Sequence, residues 1–131
     1  MVGGYEYKNN LNTDMEYTDL DVWKESRKLA KSIYDLTKDF PKDEIFGLTN
    51  QIRRCAISVP SNIAEGCGRS TAKDTIHFLF IARGSLYEIE TQIYLASDLR
   101  YLADENLTFI LNQIMLCKKL LNGFINYYKT K

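Results

Sequence analysis

From residue 104 to residue 128, the apolar side chains Leu107, Ile110, Leu111, Ile114, Cys117, Leu121, Phe124 and Tyr128 recur at spacings of three to four residues or their multiples. At 100° per residue they share one face of a helix. Three further segments carry the same period. Over residues 19–39 the stripe is Leu20, Trp23, Leu29 or Ala30, Ile33 and Leu36, with Lys24, Arg27, Lys28, Lys31 and Lys38 toward water. Phe40-Pro41 ends that helix, because proline disfavours the α conformation in the residue before it. Over residues 43–65, Ile45, Leu48, Ile52, Cys55, Val59 and Ile63 fall on one face. Pro60 lies inside this pattern and cannot donate to the Ala56 carbonyl, which predicts a kink because the apolar period continues beyond it. Gly66-Cys67-Gly68 breaks the helix, and Ser70 or Thr71 caps the next, which runs to about Leu99. Asp104 is the candidate N-cap of the last.

Helices of roughly 20 residues or more are on the order of 30 Å long, and short connections between them favour antiparallel neighbours. The expected fold is all-α, an antiparallel up-and-down four-helix bundle over residues 18–131. Residues 1–17 carry Gly3-Gly4, three asparagines and no helical period. They read as a flexible N-terminal tail that its tyrosines could dock.

The chain of 131 residues suffices for one domain with a genuine core, and its 45% apolar and 26% charged content is that of an ordinary globular protein. A formal net charge of zero gives no global pull toward nucleic acid or an anionic membrane. Charge is uneven, however. Glu6, Asp14, Glu16, Asp19 and Asp21 stand against Lys8 in residues 1–23, while Lys118, Lys119, Lys129 and Lys131 meet no acid in residues 111–131. The three cysteines, Cys55, Cys67 and Cys117, show no CxxC spacing, and His77 has no second histidine. Free thiols in a reducing cytoplasm, no metal and no cofactor are therefore expected. No basic region followed by an apolar run opens the chain, and the longest apolar runs, such as residues 78–82, are too short for a bilayer. A cytoplasmic protein without membrane contact and without a small-molecule substrate is the expectation.

The third helix is more apolar than a monomeric bundle needs. Phe78, Ala82, Leu86, Ile89, Ile93 and Ala96 point one way, Ile76, Phe80, Tyr87 and Tyr94 another, and Ile81, Leu95 and Leu99 a third. Phe46, Ile57 and Ala64 likewise lie off the core stripe of the second helix. A helix apolar nearly all round is buried on all sides, so the outer faces of these two helices are expected to meet another copy of the chain.

The second helix also carries a polar stripe, with Gln51, Ser58 and Glu65 every seven residues and Asn62 close to Ser58 in angle. Arg83, Tyr87 and Glu90 form a comparable ladder on the third. Each set serves either as a recognition groove or as a polar layer that fixes helix register. Here the sequence resembles a known family. Asp19-Leu20-Asp21-Val22-Trp23, Phe40-Pro41, Glu44 and Gln51-Ile52-Arg53-Arg54 begin the resemblance. Ser58-Val59-Pro60-Ser61-Asn62-Ile63-Ala64-Glu65-Gly66 and Ala82-Arg83-Gly84-Ser85-Leu86-Tyr87-Glu88 carry it most specifically. Over roughly residues 19–125 the chain resembles the four-helix bundle proteins encoded in 23S ribosomal RNA intervening sequences. The resemblance implies up-and-down bundles assembled into homopentameric rings. A related branch, the accessory variability determinant proteins of diversity-generating retroelements, is associated with a reverse transcriptase and, through a basic surface, with nucleic acid. No enzymatic activity comes with it. Gly84 inside a helix costs about 1 kcal/mol relative to Ala, and close approach of a second helix or subunit would account for it.

Several chemistries are set aside. A di-iron bundle needs Glu-x-x-His pairs, and a P-loop needs GxxxxGK[ST] after a strand. The turn at Gly66-Cys67-Gly68-Arg69-Ser70 has neither, though it could hold an anion near Arg69 and Lys73. A helical ribonuclease would set four to six residues between an Arg and a following His, whereas seven separate Arg69 from His77. A Cys67–His77 nucleophilic pair lacks an orienting third group. The expected function is that of a non-enzymatic, homo-oligomeric bundle binding RNA or a nucleic-acid-processing protein. Arg53, Arg54, Arg69, Lys73, Lys118 and Lys119 would be its phosphate contacts. The alternative is a structural or protein-binding scaffold whose arginines form intersubunit salt bridges, and a ribonuclease using His77 ranks last.

Overall fold

The structure, a computed structural model, describes residues 16–131. Residues 1–15 of the expected tail lie outside the described residues. Four long helices follow one another: α1 Asp21–Thr37, α2 Leu48–Cys67, α3 Ala72–Asp98 and α4 Asp104–Lys129. Single 3-10 turns at Tyr17–Asp19 and Lys42–Glu44 precede α1 and α2. Tyr17, at the expected tail boundary, sets its ring edge-on to Trp23 with centroids 5.4 Å apart.

Each helix packs on its two neighbours around a square, α1 on α2 and α4, α3 on α2 and α4. This is the antiparallel four-helix bundle the period demands. Its centre is sealed by Leu29, Ile33, Ile52, Ile63, Leu86, Ile93, Ile114 and Phe124, none more than 1% exposed. At ~25 cal/mol per Å² of apolar surface removed from water, this packing, rather than helix propensity, holds the helices in place.

The core stripes differ from the expected ones at several positions. On α3 the buried residue is Leu79, while Phe78 is only partly covered. On α1, Val22 is buried and Trp23 half-buried. Thus each of these stripes is rotated by one residue at its start. The start of α2 is a larger correction. The chain does not become helical at Asp43: after the turn at Lys42–Glu44, Gly47 takes φ −112°, ψ −116°, and α2 begins only at Leu48. Ile45, expected on the core face, is therefore 47% exposed. The N-cap of α4 is Ala103, with Asp104 in the first turn, where its charge still opposes the helix dipole.

Two glycines divide the roles assigned to them. Gly66 does not break α2 but lies buried in its last turn, and Gly68 is the cap. A Cβ on Gly66 would stand 3.1 Å from the Thr75 carbonyl oxygen and 3.2 Å from Phe78 Cβ, so α2 and α3 close on each other here. Thr75 completes the junction by donating its hydroxyl to the Gly66 carbonyl at 2.8 Å. By contrast, a Cβ on Gly84 would meet nothing within 4 Å. Among the described residues, no other helix comes within contact of a Cβ placed at Gly84. As expected from the period, α2 runs through Pro60 without a break.

Candidate functional site

The polar residues singled out on α2 and α3 are used to join helices. Ser85 on α3 donates to Ser58 on α2 at 2.9 Å. Asn62 Nδ2 donates to both the carbonyl and the hydroxyl oxygen of Ser58, each at 2.9 Å. Gln51 and Glu65 stand outside this cluster: both are exposed, and Glu65 pairs with Arg69 one turn on at 2.7 Å. Across the α3–α4 seam, Arg83 Nη1 donates to Asn122 Oδ1 at 3.1 Å, and Lys118 Nζ donates to Glu90 Oε1 at 2.9 Å. Lys118 also lies over the Tyr87 ring, 4.8 Å from its centroid. Arg83, Tyr87 and Glu90 are therefore a ladder onto α4. Ser85 and Asn122 have no signal of their own in the sequence, and Lys118 shows there only as a cation. Helical arithmetic on one helix does not say which residue of another helix faces it.

The six basic residues separate into two groups. Arg53, Arg69 and Lys118 are engaged within the chain. Arg53 donates from Nε to Thr37 Oγ1 at 2.8 Å and lies over the Tyr34 ring at 4.7 Å. Arg69 combines its bond to Glu65 with a position over Phe78, 4.5 Å from the centroid. Arg54, Lys73 and Lys119 are exposed and carry no ion pair among the described residues. The six do not form one patch, since Arg53 and Arg54 sit in the first half of α2 and Arg69 and Lys73 beyond its opposite end. At the start of α3, Thr71 Oγ1 accepts from the Asp74 amide at 3.1 Å, so the chain supplies its own cap and its own acid there.

His77 is exposed and edge-on to Phe78 at 5.3 Å. Burial pushes the Cys67 thiol up to about 11 and the Cys117 thiol up to about 12. No group of metal-ligating side chains occurs among the described residues. Nor is any helix among them long and apolar enough to cross a membrane.

The outer surface of α3 is the other conspicuous feature. Phe80, Ile81, Tyr87, Tyr94, Leu95 and Leu99 are each between 40% and 52% exposed. Within it, Phe80, Gly84, Tyr87, Thr91 and Tyr94 follow a four-three-four-three spacing, the period of a heptad stripe. Phe109, Met115 and Leu116 on α4 and Ile57 on α2 are exposed as well.

Fold and surface together define an antiparallel four-helix bundle whose buried polar groups lock helix to helix and whose third helix leaves an apolar seam outside. The chain belongs to the 23S rRNA-intervening sequence protein family, whose model matches residues 18–123. It is similar to a crystal structure from Bacteroides thetaiotaomicron, a protein of unknown function from the S23 ribosomal protein family. The two share 28% identity over 79% of this chain and 97% of that one, with a TM-score of 0.74. No curated protein matches the chain.

Proposed function

We propose that this protein is a non-enzymatic, self-associating bundle that works in the cytoplasm as an accessory to RNA or to a nucleic-acid-processing partner. The observation that carries the reading is the outward seam of α3. Single exposed aromatics are ordinary, but a stripe along a helix of about 40 Å is not. Gly84 at its centre, open to solvent, lets a second backbone come close. A seam meeting a different face of the next copy would close a ring, and the family resemblance implies five copies. Assembly would also repeat Arg54, Lys73 and Lys119 around that ring, giving a neutral chain a multivalent basic surface.

Sedimentation of the full chain at micromolar concentration tests the first half, and a single monomeric mass would overturn it. Binding to labelled structured RNA, with single-stranded DNA alongside, tests the second across a salt series. Arg54→Gln and Lys119→Gln, each removing one cation from a phosphate, should each reduce the salt slope by about 1. An assembled protein that binds no RNA at low salt would leave a scaffold for protein partners.

A further inference from the structure

Away from the α3 seam, the loop between α1 and α2 overhangs a pocket of about 460 Å³, within the range of about 300–1,000 Å³ that holds small organic ligands. Phe40, Pro41 and Ile45 give it apolar walls, and Lys38, Lys42 and Arg53 face it with three cations. No acid lines it. The acids close by are either engaged or outside: Asp35 lies 3.6 Å from Lys38, the Glu44 carboxylate is bonded to the Leu48 amide and the Tyr101 hydroxyl, and Asp39 and Asp43 are exposed on the loop.

Two polar groups in this pocket lack what such groups normally have. Thr49, a wall residue, is 3% exposed, and its Oγ1, sealed from solvent, has no hydrogen-bond partner among the described residues. Three of the other four buried hydroxyls bond the carbonyl four residues back, Ser26 to Val22, Thr37 to Ile33 and Thr75 to Thr71, and the fourth, Ser85, bonds Ser58. Four residues before Thr49 is Ile45, which precedes α2, so no helical carbonyl is in place. Arg53 is the second group. It is half-buried, its acceptors are the neutral Thr37 hydroxyl and, at 3.5 Å, the Tyr34 carbonyl, and it has no carboxylate partner among the described residues.

A donor without an acceptor, a guanidinium without a counter-charge and two lysines around an apolar-walled pocket call for an anion on an apolar body. We infer that this pocket binds a phosphate monoester carried on a planar or apolar group, with Arg53, Lys38 and Lys42 around the phosphate and the Thr49 hydroxyl, otherwise sealed from solvent, turning about χ1 to donate to it. The guanidinium fork matches phosphate oxygens, and with Lys38 already paired to Asp35 the dianion offsets the charges of Arg53 and Lys42. The ester's body lies against Phe40, Pro41 and Ile45. A free ester and the terminal phosphate of an RNA share this chemistry. The inference stands independently of self-association.

The test uses the full chain and phenyl phosphate, with NMR signals of Thr49 and Arg53 as the readout. Phenyl phosphate is expected to shift both signals, and phenol to shift neither. Lys42→Gln and Thr49→Val should each weaken binding about tenfold, as removal of one charge-assisted hydrogen bond does. Both variants are expected to fold, because Lys42 is exposed and valine fills the threonine's volume without the unpaired hydroxyl. Unmoved signals at millimolar phenyl phosphate, or variants that bind as tightly as the natural chain, would overturn the inference. A short RNA bearing a terminal phosphate, set against the same RNA ending in a hydroxyl, separates the sources. A phosphate-dependent shift at Thr49 identifies the RNA end, and a response to phenyl phosphate alone identifies a free ester.

Discussion

Tyr101 donates its hydroxyl to Glu44 Oε2 at 2.8 Å, tying the α3–α4 loop to the α1–α2 loop. The other oxygen of Glu44 accepts from the Leu48 amide at 3.1 Å and so caps α2. The Leu48 amide first, and Tyr101 second, hold the Glu44 carboxyl below its ordinary value of 4.5. A depressed folded value means stability that is present above the unfolded pKa and lost as pH falls through the folded one. The thermal midpoint of the natural chain should therefore fall more steeply on acidification than that of Glu44→Gln, which cannot titrate. Melting curves from pH 6 downward check this, and parallel acid limbs would contradict it.

Arg100 lies at φ 64°, the only non-glycine with positive φ among the described residues. It ends α3 in a double-bonded cap, with the Tyr101 amide on the Ala96 carbonyl at 2.8 Å and the Arg100 amide on that of Ser97 at 2.9 Å. The left-handed position aims Tyr101 at Glu44 and Phe40, and a side chain with a Cβ is strained there. Arg100→Gly is expected to stabilise the fold by about 0.5–1 kcal/mol, read as a higher urea midpoint at unchanged slope.

The helices were legible because their apolar period is long and uninterrupted, and because Phe40-Pro41 and the glycines near residue 67 punctuate it. The start of α2 was not, because residues 43–47 continue an apolar pattern whose conformation is set by Glu44, Gly47 and a tyrosine 57 positions away in the chain. Arg53 and Arg69 were visible as cations but not as engaged ones. Thr37, Tyr34 and Phe78 come from other helices, and no period encodes those contacts; only the Arg69–Glu65 pair follows a helical four-residue spacing. Thr49 could not have been singled out, since a threonine in an amphipathic helix is unremarkable until its acceptor proves absent.

The cysteines should be inert in the folded chain. Burial raises Cys67 to about 11 and Cys117 to about 12, and it also raises Cys55. At pH 8 their alkylation by iodoacetamide should run roughly tenfold to hundredfold slower than in urea-unfolded chain. A raised thiol pKa also means stability that is intact below the unfolded value and lost as pH rises through the folded one, so the melting midpoint should decline above about pH 9. Rapid labelling of any cysteine in the folded protein would show a local opening at that site.

Gly66 and Gly84, both inside helices, should respond oppositely to the same added methyl. At Gly66 the methyl meets the Thr75 backbone at 3.1 Å, and a carbonyl cannot rotate aside as a side-chain end can. Gly66→Ala should force α2 and α3 apart, strain the Thr75–Gly66 bond and cost about 1–3 kcal/mol. At Gly84 the methyl enters open space within the chain, so Gly84→Ala should stabilise the isolated bundle by about 0.5–1 kcal/mol. Gly84→Leu separates fold from assembly. It leaves the packing inside the chain in place, yet puts a branched side chain at the middle of the Phe80–Tyr94 seam. Circular dichroism should show an unchanged bundle, while sedimentation shows a mass reduced toward the monomer. If Gly84→Leu instead keeps the full assembled mass, copies meet elsewhere than on the α3 seam, and the exposed Ile57 and Met115 become the positions to change next.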